Sequence, residues 1–262
     1  LADSPSLWEL RWRSLVRARK RLRAGDAEGL HDLRVALRRV AATASALGRR
    51  KVERRAGEIV RGLSSDRQRE VDRALLVRIR HLGLLSDDAA TTLEIRWKPP
   101  NDAATRADRD EKRLRRLLKR LRRLAARAPA GALQRLLEER KEAEAALAKA
   151  PPKGDERSLH RYRLRVKRAR YLAEDLVACG RSEFEAAVER ERTAQDVIGR
   201  WNDLRLFLER TNRERKNAQR RGAVRLESEL EDLARALEAP LAGLRREASE
   251  TARRLSTAFS FA

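Results

Sequence analysis

The sequence predicts an all-α fold built as two tandem antiparallel helical bundles. Leu, Ala, Arg and Glu dominate the composition, and all four are strong helix formers. No segment sustains the period-two alternation of a half-buried strand. Short breaks bearing Gly or Pro divide the chain into helical stretches, and short connections make consecutive helices pack antiparallel. Aromatics are only 4% of 262 residues, so the core must be mostly Leu, Ala and Val.

In chain order, Ser4-Pro5 opens a first helix, with Pro in the first turn, and Gly25 ends it after about Arg23. Asp26 caps the next, which carries His31 and ends near Gly48. A third helix covers about 51–63, and a fourth covers about 68–80 and stops near Gly83. Residues 85–104 read as a loop holding Asp87-Asp88 and Trp97-Lys98-Pro99-Pro100-Asn101-Asp102. Asp102 caps a long helix to about Arg127, and Pro129-Ala130-Gly131 marks a domain boundary between segments 1–128 and 131–262. The second segment repeats the plan. A helix over about 132–149 breaks at Pro151-Pro152-Lys153-Gly154. Asp155 caps a helix that carries His160 and ends at Gly180. Ser182-Glu183-Phe184-Glu185 has the spacing of a capping box. Further helices cover about 182–199, 202–220, 223–238 and 241–257, with Pro240 between the last two.

The 63 Lys and Arg outnumber the 40 Asp and Glu, for a net charge of +23. Charge of this size speaks to partners rather than to fold. It calls for a polyanion: nucleic acid, anionic lipid or a phosphate polymer. The single Cys179 excludes an internal disulfide and fits a reducing, cytoplasmic setting. No stretch approaches the roughly 20 apolar residues of a membrane span, and the first residues lack the apolar core of a signal peptide. The chain has no Met, even at position 1, so a trimmed start is expected.

One short segment occurs twice. Leu30-His31-Asp32-Leu33-Arg34-Val35-Ala36-Leu37-Arg38-Arg39 is echoed by Leu159-His160-Arg161-Tyr162-Arg163-Leu164-Arg165-Val166-Lys167-Arg168 about half a chain later. The shared pattern is L-H-x-x-R-[VL]-x-x-[RK]-R, and its spacing argues for a duplicated unit. On a helical projection, Leu30, Leu33, Leu37, Val40, Ala44 and Leu47 share one face. His31, Arg34 and Arg38 gather on the other side, with Arg39 at their edge. In the second copy, Leu159, Tyr162, Val166, Ala169, Ala173 and Leu176 form the apolar face, and His160, Arg163, Lys167 and Arg170 share the other, with Arg168 at the edge. Like charges at i, i+4 cost a helix a few tenths of a kcal/mol each, and a face kept only for solvation would interleave Glu. Arg offers a planar fork for two phosphate oxygens and Lys a point charge. The pattern therefore points to phosphate, with the histidines donating hydrogen bonds or bracing the arginines.

At these residues the chain resembles the CHAD domain, an α-helical family whose motif reads like H-D-x-R-V-x-x-R-R-x-R. Residues His31 to Arg39 are similar to it, with Ala41 where the family commonly has another Arg. In the second copy His160, Arg163, Leu164, Lys167, Arg168 and Arg170 match, followed by Tyr171, Leu172 and Glu174. Gln195-Asp196-Val197-Ile198-Gly199-Arg200-Trp201-Asn202-Asp203 is similar to a second signature, Q-D-x-L-G-x-L-N-D. The first-half counterpart, L-G-x-x-R-D-x-D-V, is eroded over Leu63 to Val71. The resemblance implies two helical bundles related by a pseudo-twofold axis, with a basic groove between them that binds inorganic polyphosphate. It also implies association with polyphosphate granules in the cytoplasm. The E-x-E-x-K motif of the CYTH domain, to which some family members are fused, does not occur.

Other signals are weaker. Lys112 to Arg127 is a dense basic run with an apolar seam at Leu114, Leu117, Leu118, Leu121 and Leu124. It reads as a bundle helix with a solvated basic face, and as alternatives an extension of the anion surface or a contact for anionic lipid. Arg213, Arg215, Lys216, Arg220 and Arg221 form a second basic run at the surface. Trp8, Trp12, Tyr162 and Trp201 read as core anchors. Asp87-Asp88 and Asn202-Asp203 read as loop or capping groups. No Ser/His/Asp order, Walker loop or metal-ligand spacing stands out. The expectation is a non-enzymatic binder with no catalytic residue, metal or cofactor. Nucleic acid stands as the rival partner, and a metal-dependent polyphosphatase or triphosphatase as the rival function.

Overall fold

The computed structural model describes residues 6–26, 28–97, 103–126, 131–149, 151–153 and 155–260, excluding the side chains of 64–67 and 103–109. Among the described residues the fold is all-α. It comprises α1 (Leu7–Arg23), α2 (Gly29–Ala46), α3 (Arg50–Gly62), α4 (Ser64–His81), α5 (Asp87–Arg96), α6 (Ala103–Ala125), α7 (Ala132–Lys149), α8 (Glu156–Ala178), α9 (Glu185–Arg220) and α10 (Val224–Ser260). A single 3-10 turn, Ser182–Phe184, precedes α9.

The helix ends follow local chemistry. Ser6 caps α1 by accepting a hydrogen bond from the Glu9 N–H, whereas the expected Ser4-Pro5 start lies outside the described residues, as does the Asp102 cap of α6. Asp155 Oδ1 accepts from the Ser158 N–H at 2.8 Å ahead of α8, as the sequence predicts. Gly222 closes α9 at φ +67°, and the Ala223 N–H reaches back to the Ala218 carbonyl. That left-handed stop strains any residue with a Cβ.

Three expectations are corrected. Residues 85–104 are not all loop, because α5 forms within them. Ser86 accepts from the Ala89 N–H, Asp87 and Asp88 sit in the first turn, and Ala89, Leu93 and Trp97 repeat at i, i+4, i+8 on a buried face. The break near residue 200 is absent, because Ala194, Ile198, Trp201, Leu204 and Phe207 carry one buried stripe through it. Pro240 does not divide the last two helices. Ala236, whose carbonyl Pro240 leaves unpaired, is exposed, as are Glu238, Ala239 and Pro240, so water can satisfy it. Leu233 and Leu237 continue into Leu241 and Leu244 against the same core.

The chain forms two compact units. One comprises Leu1–Arg67, Pro100–Ala146 and Arg165–Arg192, and the other Gln68–Pro99, Leu147–Leu164 and Thr193–Ala262. Each draws on both halves of the sequence. In the first, α1 and α3 each pack against both α2 and α6, a four-helix arrangement with α2 and α6 on one diagonal. Buried Leu15, Leu33, Leu37, Val40, Val52, Ile59, Leu117 and Leu121 supply the apolar faces of these four helices. In the second, Leu76, Ile79, Leu93, Trp97, Leu204, Phe207, Leu230 and Leu233 make one core, with Trp97 edge-on to Phe207 at 5.6 Å between centroids. Beside it Arg210 lies over the Trp97 ring at 4.4 Å and donates a 2.5 Å hydrogen bond to buried Asp72.

Candidate polyanion-binding site

The helical projection predicts the apolar face of α2 well: Leu33, Leu37, Val40, Ala44 and Leu47 are buried. It places the cations less well, because α2 is covered on more than one side. Arg34 is 5% exposed, and its Nη1 donates a 2.5 Å hydrogen bond to the Leu63 carbonyl at the end of α3. It therefore lies at the margin of the core, not on a face opposite it. Arg39 Nε donates to Glu174 Oε2 of α8 at 2.6 Å. His31 is half-buried. Arg38 is also half-buried, and it makes no hydrogen bond or ion pair among the described residues.

On α8 the expected apolar positions Leu159, Tyr162, Val166, Ala169, Ala173 and Leu176 are all buried. Burial goes all the way round from Ala169 to Ala173, which takes Arg170 with it. Arg170 is 7% exposed, with Nη1 3.4 Å from Glu174 Oε1 and its guanidinium 4.9 Å from the Tyr171 ring centroid. It serves packing inside the unit instead of the open face expected of it. Arg168 pairs with Glu139 of α7 while remaining half exposed. Arg163 and Lys167 are half-buried. With a proton on Nδ1, His160 donates a long 3.4 Å hydrogen bond to the Oδ1 of buried Asn202 on α9. Asn202 thus sits inside a helix as a brace for the histidine, not at a cap.

In the first unit, His31, Arg34, Arg38 and Arg39 of α2 share one compact body with Lys167, Arg168 and Arg170 of α8. A buried network ties the helices together there. Arg11 of α1 donates from Nη2 to Asp175 Oδ1 and from Nε to Thr43 Oγ1 at 3.2 Å, and the Thr43 hydroxyl donates to Asp175 Oδ2 at 2.6 Å. Burial, with the Arg39 charge adding to it, pulls the Arg11 guanidinium down to about 10, still cationic at neutral pH. Further along, Arg140 of α7 grips Glu191 of α9 with Nη1 and Nη2, at 3.0 and 2.6 Å, and donates to the Ala169 carbonyl at 2.7 Å. Burial raises the Glu191 carboxyl, and Arg140 opposes that rise. Arg11, Asp175, Arg140 and Glu191 carry no local signature, because their partners lie far off in the chain.

The repeated histidine segments, their helical placement and the brace from Asn202 all agree with a match to the model of the CHAD domain over residues 6–212. The chain belongs to the CHAD domain family. Comparison with curated proteins gives no match. Family membership fits a polyphosphate-related function. Among the described residues of this CHAD chain, no helix is long and apolar enough to cross a membrane. No group of three or more His, Cys, Asp or Glu is placed to hold a metal ion among those residues.

Proposed function

We propose that this CHAD chain binds inorganic polyphosphate by electrostatic capture, without chemistry of its own. Arg38 carries the reading. It is a half-buried cation with no internal partner among the described residues, while its neighbours Arg34 and Arg39 are engaged. A partly desolvated, unpaired guanidinium gains most from an external anion. Within the first unit His31, Arg38 and Lys167 contact successive phosphates, while Arg34, Arg39, Arg168 and Arg170 hold the helices that present them. The net charge of +23 and the scarcity of aromatics favour a bare phosphate chain over single-stranded nucleic acid, whose bases need stacking platforms. The same reading would put the protein on polyphosphate granules in the cytoplasm.

The test is the double variant R38A/K167A titrated with long-chain polyphosphate. A loss of at least about a hundredfold is expected, since each of the two charge-assisted contacts contributes roughly 1.5–3 kcal/mol. The affinity of the parent should fall steeply with salt, with a slope near −0.7 per contacted phosphate if polyphosphate behaves like a single strand. Unchanged affinity in the double variant rejects the site. Displacement of polyphosphate by excess duplex DNA rejects the ligand, and orthophosphate release with magnesium or manganese rejects the non-enzymatic reading.

A further inference from the structure

The basic run on α6 is not absorbed by this site. Leu114, Leu117, Leu118 and Leu121 are buried, so the apolar face of α6 is spent on the bundle and cannot enter a bilayer. Opposite them, Lys112, Arg116, Lys119 and Arg123 follow one another at spacings of four, three and four residues, which aligns them along the outward crest of the helix. At about 1.5 Å rise per residue the row is about 16 Å long, with a cation every 4–6 Å or so. All four are exposed, and none makes an ion pair or hydrogen bond among the described residues. The acids of this stretch lie off the crest and are taken: Asp110 pairs with Arg113, and Glu111 with Arg19 and Arg115.

The crest also faces away from the site on α2 and α8. α6 touches α1 and α3 and lies diagonal to α2. α8 approaches this bundle through Arg11–Asp175, Arg39–Glu174 and Thr43–Asp175, that is, on the side of α1 and α2. A phosphate chain seated on α2 and α8 does not run on along α6. The crest carries no aromatic and no Asn, Gln, Ser or Thr, so it offers charge alone, with nothing to stack on or read a base.

We propose that the α6 crest is a second polyphosphate-binding surface, facing away from the first, so that one molecule bridges two polyphosphate segments. This rests on the polyphosphate reading above. Two outward-facing sites on one body make a cross-linker, and cross-linking demands a ligand long enough to engage several molecules.

The experiment measures light scattering on mixing with long-chain polyphosphate, alongside calorimetric binding of tripolyphosphate, which is too short to bridge. The parent should bind both, scatter only with the long chain, and lose scattering when the chain is in excess. The variant K112Q/R116Q/K119Q/R123Q, checked for helicity by circular dichroism, should still bind but lose the scattering. The variant R213Q/K216Q/R220Q/R221Q removes equal charge from the end of α9 and should scatter like the parent. Scattering retained by the α6 variant, or lost equally by both variants, overturns the second surface and leaves polyphosphate binding intact. A parent that binds neither ligand overturns the functional reading itself. If duplex DNA dissolves the parent's assemblies while tripolyphosphate binding persists, the crest is a nucleic-acid surface and the proposal fails.

Discussion

Arg39 Nε donates a 2.6 Å hydrogen bond to Oε2 of Glu174, joining a residue of the first histidine segment to one that follows the second. The Glu174 side chain is 10% exposed, and its other oxygen faces Arg170 at 3.4 Å. One carboxylate thus occupies two of the cations that the sequence assigns to ligand.

Arg39 and its neighbour Arg38 should therefore separate by phenotype. Arg39→Ala strands a largely buried carboxylate and should cost about 1–3 kcal/mol of stability. Arg38→Ala should change stability by under about 0.5 kcal/mol while weakening polyphosphate binding. Urea denaturation and polyphosphate titration of both variants check this, and a similar stability loss at both positions would contradict it.

The Arg140–Glu191 pair is buried on both sides, with side-chain exposures of 1% and 0%. Arg140→Met should destabilise by about 3–5 kcal/mol, because it leaves Glu191 buried without its counter-charge. The double variant R140M/E191L should recover most of that loss. Unfolding midpoints of the two variants decide it.

Glu111 links α1 to α6, accepting from Arg19 and, at 2.9 Å, from Arg115. The hydrogen bond from Arg19 is the largest influence and holds the Glu111 carboxyl below its usual 4.5. A carboxyl lowered in the folded state stabilises fully above its unfolded value, and that stability is lost as pH falls through the folded value. Glu111→Gln should cost a few tenths of a kcal/mol at pH 7, small because the pair is partly exposed. The difference from the parent should begin to shrink as pH falls below about 4.5 and vanish below the lowered folded value, as followed by denaturation across pH.

Two helical glycines should respond in opposite directions. A Cβ at Gly29 would fall 2.6 Å from Cα and N of Leu22, where α2 starts tight against α1. Gly29→Ala should cost about 1–3 kcal/mol, as overpacking does. A Cβ at Gly199 in α9 meets nothing within 4 Å, so Gly199→Ala should add about 0.5–1 kcal/mol through helix propensity alone. Thermal unfolding of both variants tests the contrast.

The helices were legible because their signals are local. Asp155 caps α8, Gly222 stops α9, and the apolar positions of α2 and α8 lie where a 3.6-residue period puts them. The misreadings arose where a weak local signal met a strong packed stripe, as at residue 200 and Pro240. The Asp72 partner of Arg210 lies just past the eroded 63–71 stretch, and the eroded pattern hid it. At the candidate site the histidine segments stood out by repetition, and Asn202 lay inside the second signature. Which cations are engaged inside the protein did not stand out, since that depends on what covers the helix.

By itself the sequence determined the all-α class, most helix boundaries, the two apolar faces, the excess of positive charge and the family. Periodicity, capping and composition act within a few residues, and these features need nothing more. Only the tertiary structure decided that Arg34 and Arg170 are buried, that Glu174 holds Arg39, and that Arg38 and the crest of α6 have no internal partner among the described residues. Whether a cation is engaged depends on carboxylates and carbonyls brought near it from remote parts of the chain, and a helical projection contains none of them.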